Sequence, residues 1–302
     1  MTKSTALITQ KQLRRRKRQA VRRAACLTLL LGGIVITLRT ATNYMLSSDT
    51  APIEDHHVQA ASSVTVKAPV ERHSMNINAD LKKYASASKT AEMIYKNRDE
   101  YPEALLNAYI NNTEMEDFVA GYLNADKTSS QNEGLTAQEK EESFPLLLQW
   151  DKRWGYAPYG GSIIGLSGCG PTCLSMVLIT LTGNETQTPA QVAQFSAANG
   201  YYIEGSGTAW SLMTEGAAQL GLSARELPLA ESTMKSALDN GQPIICSMAP
   251  GDFTTEGHFI LIYGYNEDGF LVNDPNCRSR SSQSWTFERL SGQIKNLWAY
   301  SL

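Results

Sequence analysis

The sequence is poor in cysteine and histidine, has a single long hydrophobic run, and has no acidic residue at one end. Five cysteines in 302 residues fall far below the density of a disulfide scaffold, so stability has to come from an apolar core, which the 42% hydrophobic content can supply. Residues 1–40 contain no Asp or Glu but hold 10 of the 27 Lys and Arg. The rest carries 17 basic against 30 acidic residues, about −13, and a body this acidic excludes nucleic-acid binding, whose affinity comes mainly from phosphate neutralisation. There is no internal repeat, no Walker motif and no multi-span region.

The one long apolar run is AACLTLLLGGIVITL, residues 24–38, preceded by Arg14, Arg15, Arg16, Lys17, Arg18, Arg22 and Arg23 and closed by Arg39. Extended to residue 46 it reaches the length of a membrane span, and no A-x-A cleavage site follows it. This favours an uncleaved signal anchor at 24–46 over a cleaved signal peptide, which would leave a secreted chain. The positive-inside rule keeps the basic tail 1–23 in the cytoplasm and puts everything after residue 46 outside. Cys26 stands near the start of the run, where a membrane-embedded cysteine is expected rather than a lipid-attachment site.

Residues 47–78 show no period and read as a flexible tether, with His56 and His57 as solvated linker residues. Over 79–126 Leu81, Tyr84, Met93, Ile94, Leu105, Leu106, Ala108, Tyr109, Phe118, Val119 and Tyr122 recur at helical spacing, with Pro102 fitting a first turn. A propeptide, a lid and a spacer all fit this helical segment. A polar linker, 127–143, separates it from the domain expected over 144–302. There, helices are expected from about Pro171 to Leu181, from Pro189, over 209–220, and from Glu231 to a cap at Gly241. QPIICSM, HFILIYGY and GFLVND follow as strands, the last two joined by the hairpin signal NEDG. Helices followed by antiparallel strands make an α+β fold.

The stretch SGCGPTCLSMVL sets Cys169 between two glycines at a helix start, where unpaired backbone N–H groups and the helix dipole favour a thiolate. The Cys169 amide can point at a substrate oxyanion. His258 is the only histidine of the C-terminal part, and it opens a strand after the loop GDFTTEG. If the hairpin turns around Asn266–Asp268, Asp274 faces His258, which supplies the tautomer-fixing acid of a nucleophilic triad. Cys173, one turn into the helix, reads as core. A zinc site would need more ligands than Cys169, Cys173 and His258, and a redox pair would need two intervening residues, not three. The segment GSGTAW, residues 205–210, lacks the context of a phosphate loop and suits a groove wall or a helix cap. Trp150 and Trp154 are expected to pack against the domain.

QWDKRW from Gln149 to Trp154, SGCGPTCLSMVL, GSGT, GHFILIYGY and VNDP, in that order, resemble the papain-fold cysteine peptidases of family C thirty-nine, the bacteriocin-leader-processing type and its stand-alone relatives. The resemblance spans residues 144–302. It implies a papain-like α+β fold and peptide-bond cleavage, with Cys169 as nucleophile, His258 as base, Asp274 as orienting acid and Gln149 as oxyanion-hole donor, without metal or cofactor. The expected partners are a peptide or protein substrate and, through the N-terminal helix, the membrane. Family members fused to exporters process double-glycine leaders. Leaders are cut in the cytoplasm, so an extracytoplasmic domain argues against that role, although a separate exporter partner stays compatible with the sequence. Two other readings keep the fold: a cysteine amidase or acyltransferase acting on cell-wall peptides, and a non-catalytic surface binding module.

Overall fold

The computed structural model describes residues 74–128 and 134–302. The segments read as basic tail, as anchor over 24–46 and as tether up to His73, with Cys26, His56 and His57, lie outside the described residues. The described residues all fall within one compact unit. Among the described residues no helix is long and apolar enough to cross a membrane.

The helical segment consists of α1 (Ile77–Tyr84), α2 (Lys89–Lys96), α3 (Glu103–Asn111) and α4 (Glu116–Gly121). Asn76 and Ser88 accept from the backbone N–H of Ala79 and Ala91, satisfying first-turn donors that α1 and α2 would otherwise leave unpaired. The first helix therefore starts inside the stretch read as tether, and Pro102 stands at the N-cap of α3 rather than in its first turn. Leu81, Ile94, Leu105, Leu106, Tyr109, Phe118 and Val119 are buried, whereas Met93 is exposed. They share their core with Leu148, Trp150 and Tyr156, and Phe118 stacks on Tyr156 with ring centroids 4.4 Å apart. The segment is thus not a free spacer but is packed on the chain that follows it.

In the polar stretch, Thr136 and Glu139 form a reciprocal capping box on α5 (Ala137–Glu141). Next come the small hairpin β1 (Pro158–Tyr159) and β2 (Ser162–Ile163), then α6 (Ile164–Ser167), α7 (Cys169–Thr182) and α8 (Pro189–Ala198). A second small hairpin, β3 (Tyr202–Ile203) and β4 (Gly207–Thr208), precedes a π-wound turn, Leu212–Gly216, that runs into α9 (Ala217–Gln219). The helix expected over 209–220 is therefore shorter and partly π-wound. The chain continues with β5 (Ser223–Glu226), α10 (Glu231–Asp239), β6 (Ile244–Met248), β7 (His258–Asn266) and β8 (Gly269–Asn273). It ends with α11 (Arg278–Ser281), β9 (Ser284–Trp285), α12 (Phe287–Ser291) and β10 (Ile294–Ser301).

Six strands form one antiparallel sheet in the order β5-β10-β6-β7-β8-β9. Because strand side chains alternate, Ile245, Phe259, Leu261, Trp298 and Tyr300 join the core of α7 and α8. Ile244, Cys246, Met248, Ile260, Ile262 and Leu297 pack with Met234 and Ala237 of α10 and Leu290 of α12. With a helix layer on each face, β6 is buried throughout. Helix α7, largely apolar and without a charge, is buried from Gly170 to Ile179, and it stops where Gly183 takes the left-handed conformation at φ 71°.

Candidate active site

Helix α7 begins at Cys169 itself, two residues earlier than Pro171, with Gly168 as its N-cap. Gly168 has no side chain to cap the first turn, so the N–H groups there remain available to an anion. Cys169 is partly exposed, whereas Cys173, Cys246 and Cys277 are buried, and none of the four is in a disulfide. Cys173 donates its S–H to the carbonyl of Phe259 at 3.3 Å, tying α7 to β7, and burial pushes its thiol pKa well above the usual range. It is a core residue, as its place one turn into the helix suggests.

His258, the first residue of β7, is buried with 8% of its surface exposed. The Cys169 side chain lies near enough to its ring to act on its pKa. The ring's Nε2 meets Asp274 Oδ1 at 2.8 Å. The two residues meet, but not directly across the ladder. Leu261 pairs with Asn273, so three further steps from Leu261 to His258 would arrive at Asn276. Strand β8 ends at Asn273, Pro275 removes the next ladder donor, and Asp274 reaches His258 diagonally from just beyond the strand.

The sequence reading missed Arg280. It is fully buried, as is Asp274, and its Nε donates to Asp274 Oδ2, the oxygen that His258 leaves free. Burial alone would raise the Asp274 carboxyl, but the charges of Arg280 and His258 and the bonds from His258 and the Asn276 amide hold it down at about 2. Burial would lower His258, but the charge and hydrogen bond of Asp274, followed by those of Cys169, push it up to about 10. The carboxylate thus stays ionised and supports an imidazolium beside the thiol. The only signal in the sequence was an arginine six residues after Asp274, in a stretch (CRSRSS) with no apolar period to mark it as buried.

The loop before His258 is tied down separately: Asp252 pairs with Arg289 of α12 and accepts from Gln293 Nε2 at 2.8 Å. On the other side of the thiol, the second small hairpin leans on the helix start. A Cβ at Gly170 would come within 2.8 Å of the Thr208 side chain. Thr208 is in turn held by the hydroxyl of Tyr159 at 2.8 Å, which also meets Ser196 at 2.8 Å. The GSGTAW segment is therefore a wall beside Cys169. Its exposed Trp210 donates to Ser247 at 3.1 Å, and Ser247 pairs with Phe259, the neighbour of His258.

Gln149 is buried with 4% exposure. Its backbone N–H donates to Pro275 O at 2.8 Å and its Nε2 to Gly165 O at 3.0 Å, while Oε1 has no partner. Because the Gly165 carbonyl can only accept, the amide must face it with nitrogen. The long gap between Gln149 and Cys169 is filled by the β1–β2 hairpin and α6, and the amide of Gly165 bonds back to Gly155 O at 2.8 Å, closing the excursion. Trp150 and Trp154 are buried and donate to Asn276 O and Leu148 O at 2.8 and 2.7 Å. Among the described residues no three His, Cys, Asp or Glu side chains converge as a metal-ligand set.

Compared with known proteins, residues 141–301 match the model of a family described as Peptidase_C39 like family. No curated protein matches the chain. The match covers more than half of the chain and includes Gln149, Cys169, His258, Asp274 and Arg280, but not the helical segment before it.

Proposed function

From the premise that the chain belongs to the Peptidase_C39 like family, we propose that it is a membrane-anchored cysteine peptidase whose catalytic domain works outside the cytoplasm through Cys169, His258 and Asp274. One observation carries the catalytic part: the His258 ring, held through Nε2 at 2.8 Å by a buried carboxylate, lies close to a partly exposed cysteine at the first residue of a helix. Cys169 attacks the substrate carbonyl as thiolate, and His258 carries the proton to the leaving amine. Asp274 keeps the imidazole oriented and its charge balanced without taking the proton, which Arg280 makes unfavourable. The oxyanion is received by the amide of Cys169 and the second N–H of Gln149 Nε2. The anchoring rests on the arginine-rich segment before the apolar run at 24–46.

Full-length chain incubated with unstructured peptides and, separately, with peptidoglycan fragments tests the reaction class. Peptide cleavage that disappears in His258→Ala supports the proposal. Turnover of the peptidoglycan fragments alone replaces peptidase by amidase, and no turnover on either leaves a binding module. Protease added to intact cells tests the topology: digestion of the body with residues 1–23 protected is expected, and protection of the whole chain contradicts it.

A further inference from the structure

Outside the family match, the helical segment reaches into the loop that carries the acid of the site. Glu114 lies on a short turn, Thr113–Met115, between α3 and α4. That turn is anchored by the fully buried Met115 and by Asn112, whose side chain accepts from the Glu114 amide at 3.1 Å. From this base Glu114 Oε2 accepts from the backbone N–H of Arg278 at 2.8 Å. Its Oε1 accepts from the N–H of Ser279 at 2.9 Å, from the Ser279 hydroxyl, and from the Cys277 thiol at 3.7 Å. Asn112 Nδ2 donates to the carbonyl of Asn276, which also receives the Trp150 indole N–H. All of residues 276–279 are therefore gripped by one turn of the helical segment.

These four residues separate Asp274 and Pro275 from Arg280. Helix α11 is a single turn of four residues, too short to hold itself, because a first turn fixes several dihedrals for one hydrogen bond. Its shape depends on outside partners, and Glu114 meets the backbone of its first two residues. We infer that Glu114 is a positioning residue for the site: it fixes the 277–279 backbone so that Arg280 and Asp274 stay aligned behind His258, and the helical segment is a resident part of the catalytic unit rather than a removable propeptide. The inference rests on the proposed triad but has its own readout. Charge agrees with the geometry, since the hydrogen bonds from 277–279 lower the Glu114 carboxyl against the opposing effect of its burial.

The groups facing His258 are Asp274 and Cys169, with Arg280 behind Asp274. An NMR titration of the His258 ring in full-length chain therefore reports how well Asp274 is held, and the rate of Cys169 alkylation by iodoacetamide, mapped by mass spectrometry, reports the thiol. Glu114→Ala is expected to lower the His258 midpoint by about one pH unit or more, about a tenfold change in its proton equilibrium, and to slow Cys169 alkylation. Glu114→Gln keeps one acceptor oxygen and should fall between. Ile94→Val, a mild change in the same helical core, should lower Tm and leave both readouts unchanged. A His258 midpoint and an alkylation rate unchanged in both Glu114 variants would overturn the inference, as would equal shifts in Ile94→Val. If Glu114→Ala does not fold, the Glu114→Gln titration decides. An inert Cys169 in folded parent protein would instead defeat the peptidase reading, while the His258 midpoint would still decide the role of Glu114.

Discussion

Arg280 and Asp274 form an ion pair with both side chains fully buried, and the pair uses the carboxylate oxygen that His258 does not. The arrangement makes the acid of the site a structural residue as well. Removing one partner of a buried pair leaves an uncompensated charge and costs about 3–5 kcal/mol, far more than the roughly 0–1 kcal/mol of an exposed pair.

Asp274→Asn is therefore expected to retain measurable activity, since an amide oxygen can still orient His258, yet to lose about 3–5 kcal/mol of stability because the buried Arg280 loses the carboxylate that balances its charge. Asp274→Ala should lose considerably more activity at a similar cost in stability. Steady-state kinetics beside urea denaturation of both variants check this. An Asp274→Asn protein as stable as the parent would mean that Arg280 is not the partner described.

The pH dependence follows from the same residues. His258 is raised from an ordinary 6.5 to about 10, so the imidazolium that in the proposed reaction would protonate the leaving amine should persist until the pH rises through about 10. By linkage, the contribution of His258 to stability is complete below pH 6.5 and is lost as the pH rises through that upper value. Asp274 is depressed from 3.8 to about 2, so its contribution is present above 3.8 and is lost as the pH falls through about 2. Activity and Tm measured across these two windows give the check, and an alkaline loss centred near 6.5 would contradict the His258 environment.

Much of this site was legible in the sequence because its signals are local. Gly-Cys-Gly-Pro before an apolar run marks a buried helix and its start, and the Asn266–Gly269 turn sets the hairpin, with the Asn266 side chain accepting from the Asp268 and Gly269 amides. Continued past Asn273, the ladder register would put Asn276 rather than Asp274 opposite His258, yet the pairing was still found, because a two-residue offset keeps the same face of a strand whereas a one-residue offset reverses it. Non-local partners were not legible. Strand β10, which lies between β5 and β6, hides its alternation behind Lys295, Asn296 and a bulge, and β5 is a polar edge strand reading SARE. The roles of Arg280 and Glu114 depend on contacts made only after the chain has folded.

Gln149→Ala should lower turnover by about 10²–10³, the usual loss for one oxyanion donor, with little change in substrate binding. The donor acts on charge that exists mainly in the transition state. Separate kcat and KM values on a peptide substrate check this. A loss under about threefold, well below that range, would make Gln149 a structural residue that only bridges Gly165 and Pro275.

Gly170→Ala should disturb the site without unfolding the protein. The added methyl meets the Thr208 side chain at 2.8 Å, so the β3–β4 hairpin has to move away from the helix start. Lower kcat/KM with nearly unchanged circular dichroism is the expected outcome. A fully active variant would show that this hairpin does not shape the groove.

The most direct measurement of the central claim is covalent labelling of the full-length chain by an epoxysuccinyl or vinyl-sulfone probe, with the modified cysteine mapped by mass spectrometry. Label on Cys169 that is lost in His258→Ala, with Cys173→Ala still labelled and active, is the expected result, because Cys173 is buried and donates its S–H to Phe259. A folded chain that takes up no label, or takes it on Cys173 while Cys169→Ala keeps full turnover, would contradict it.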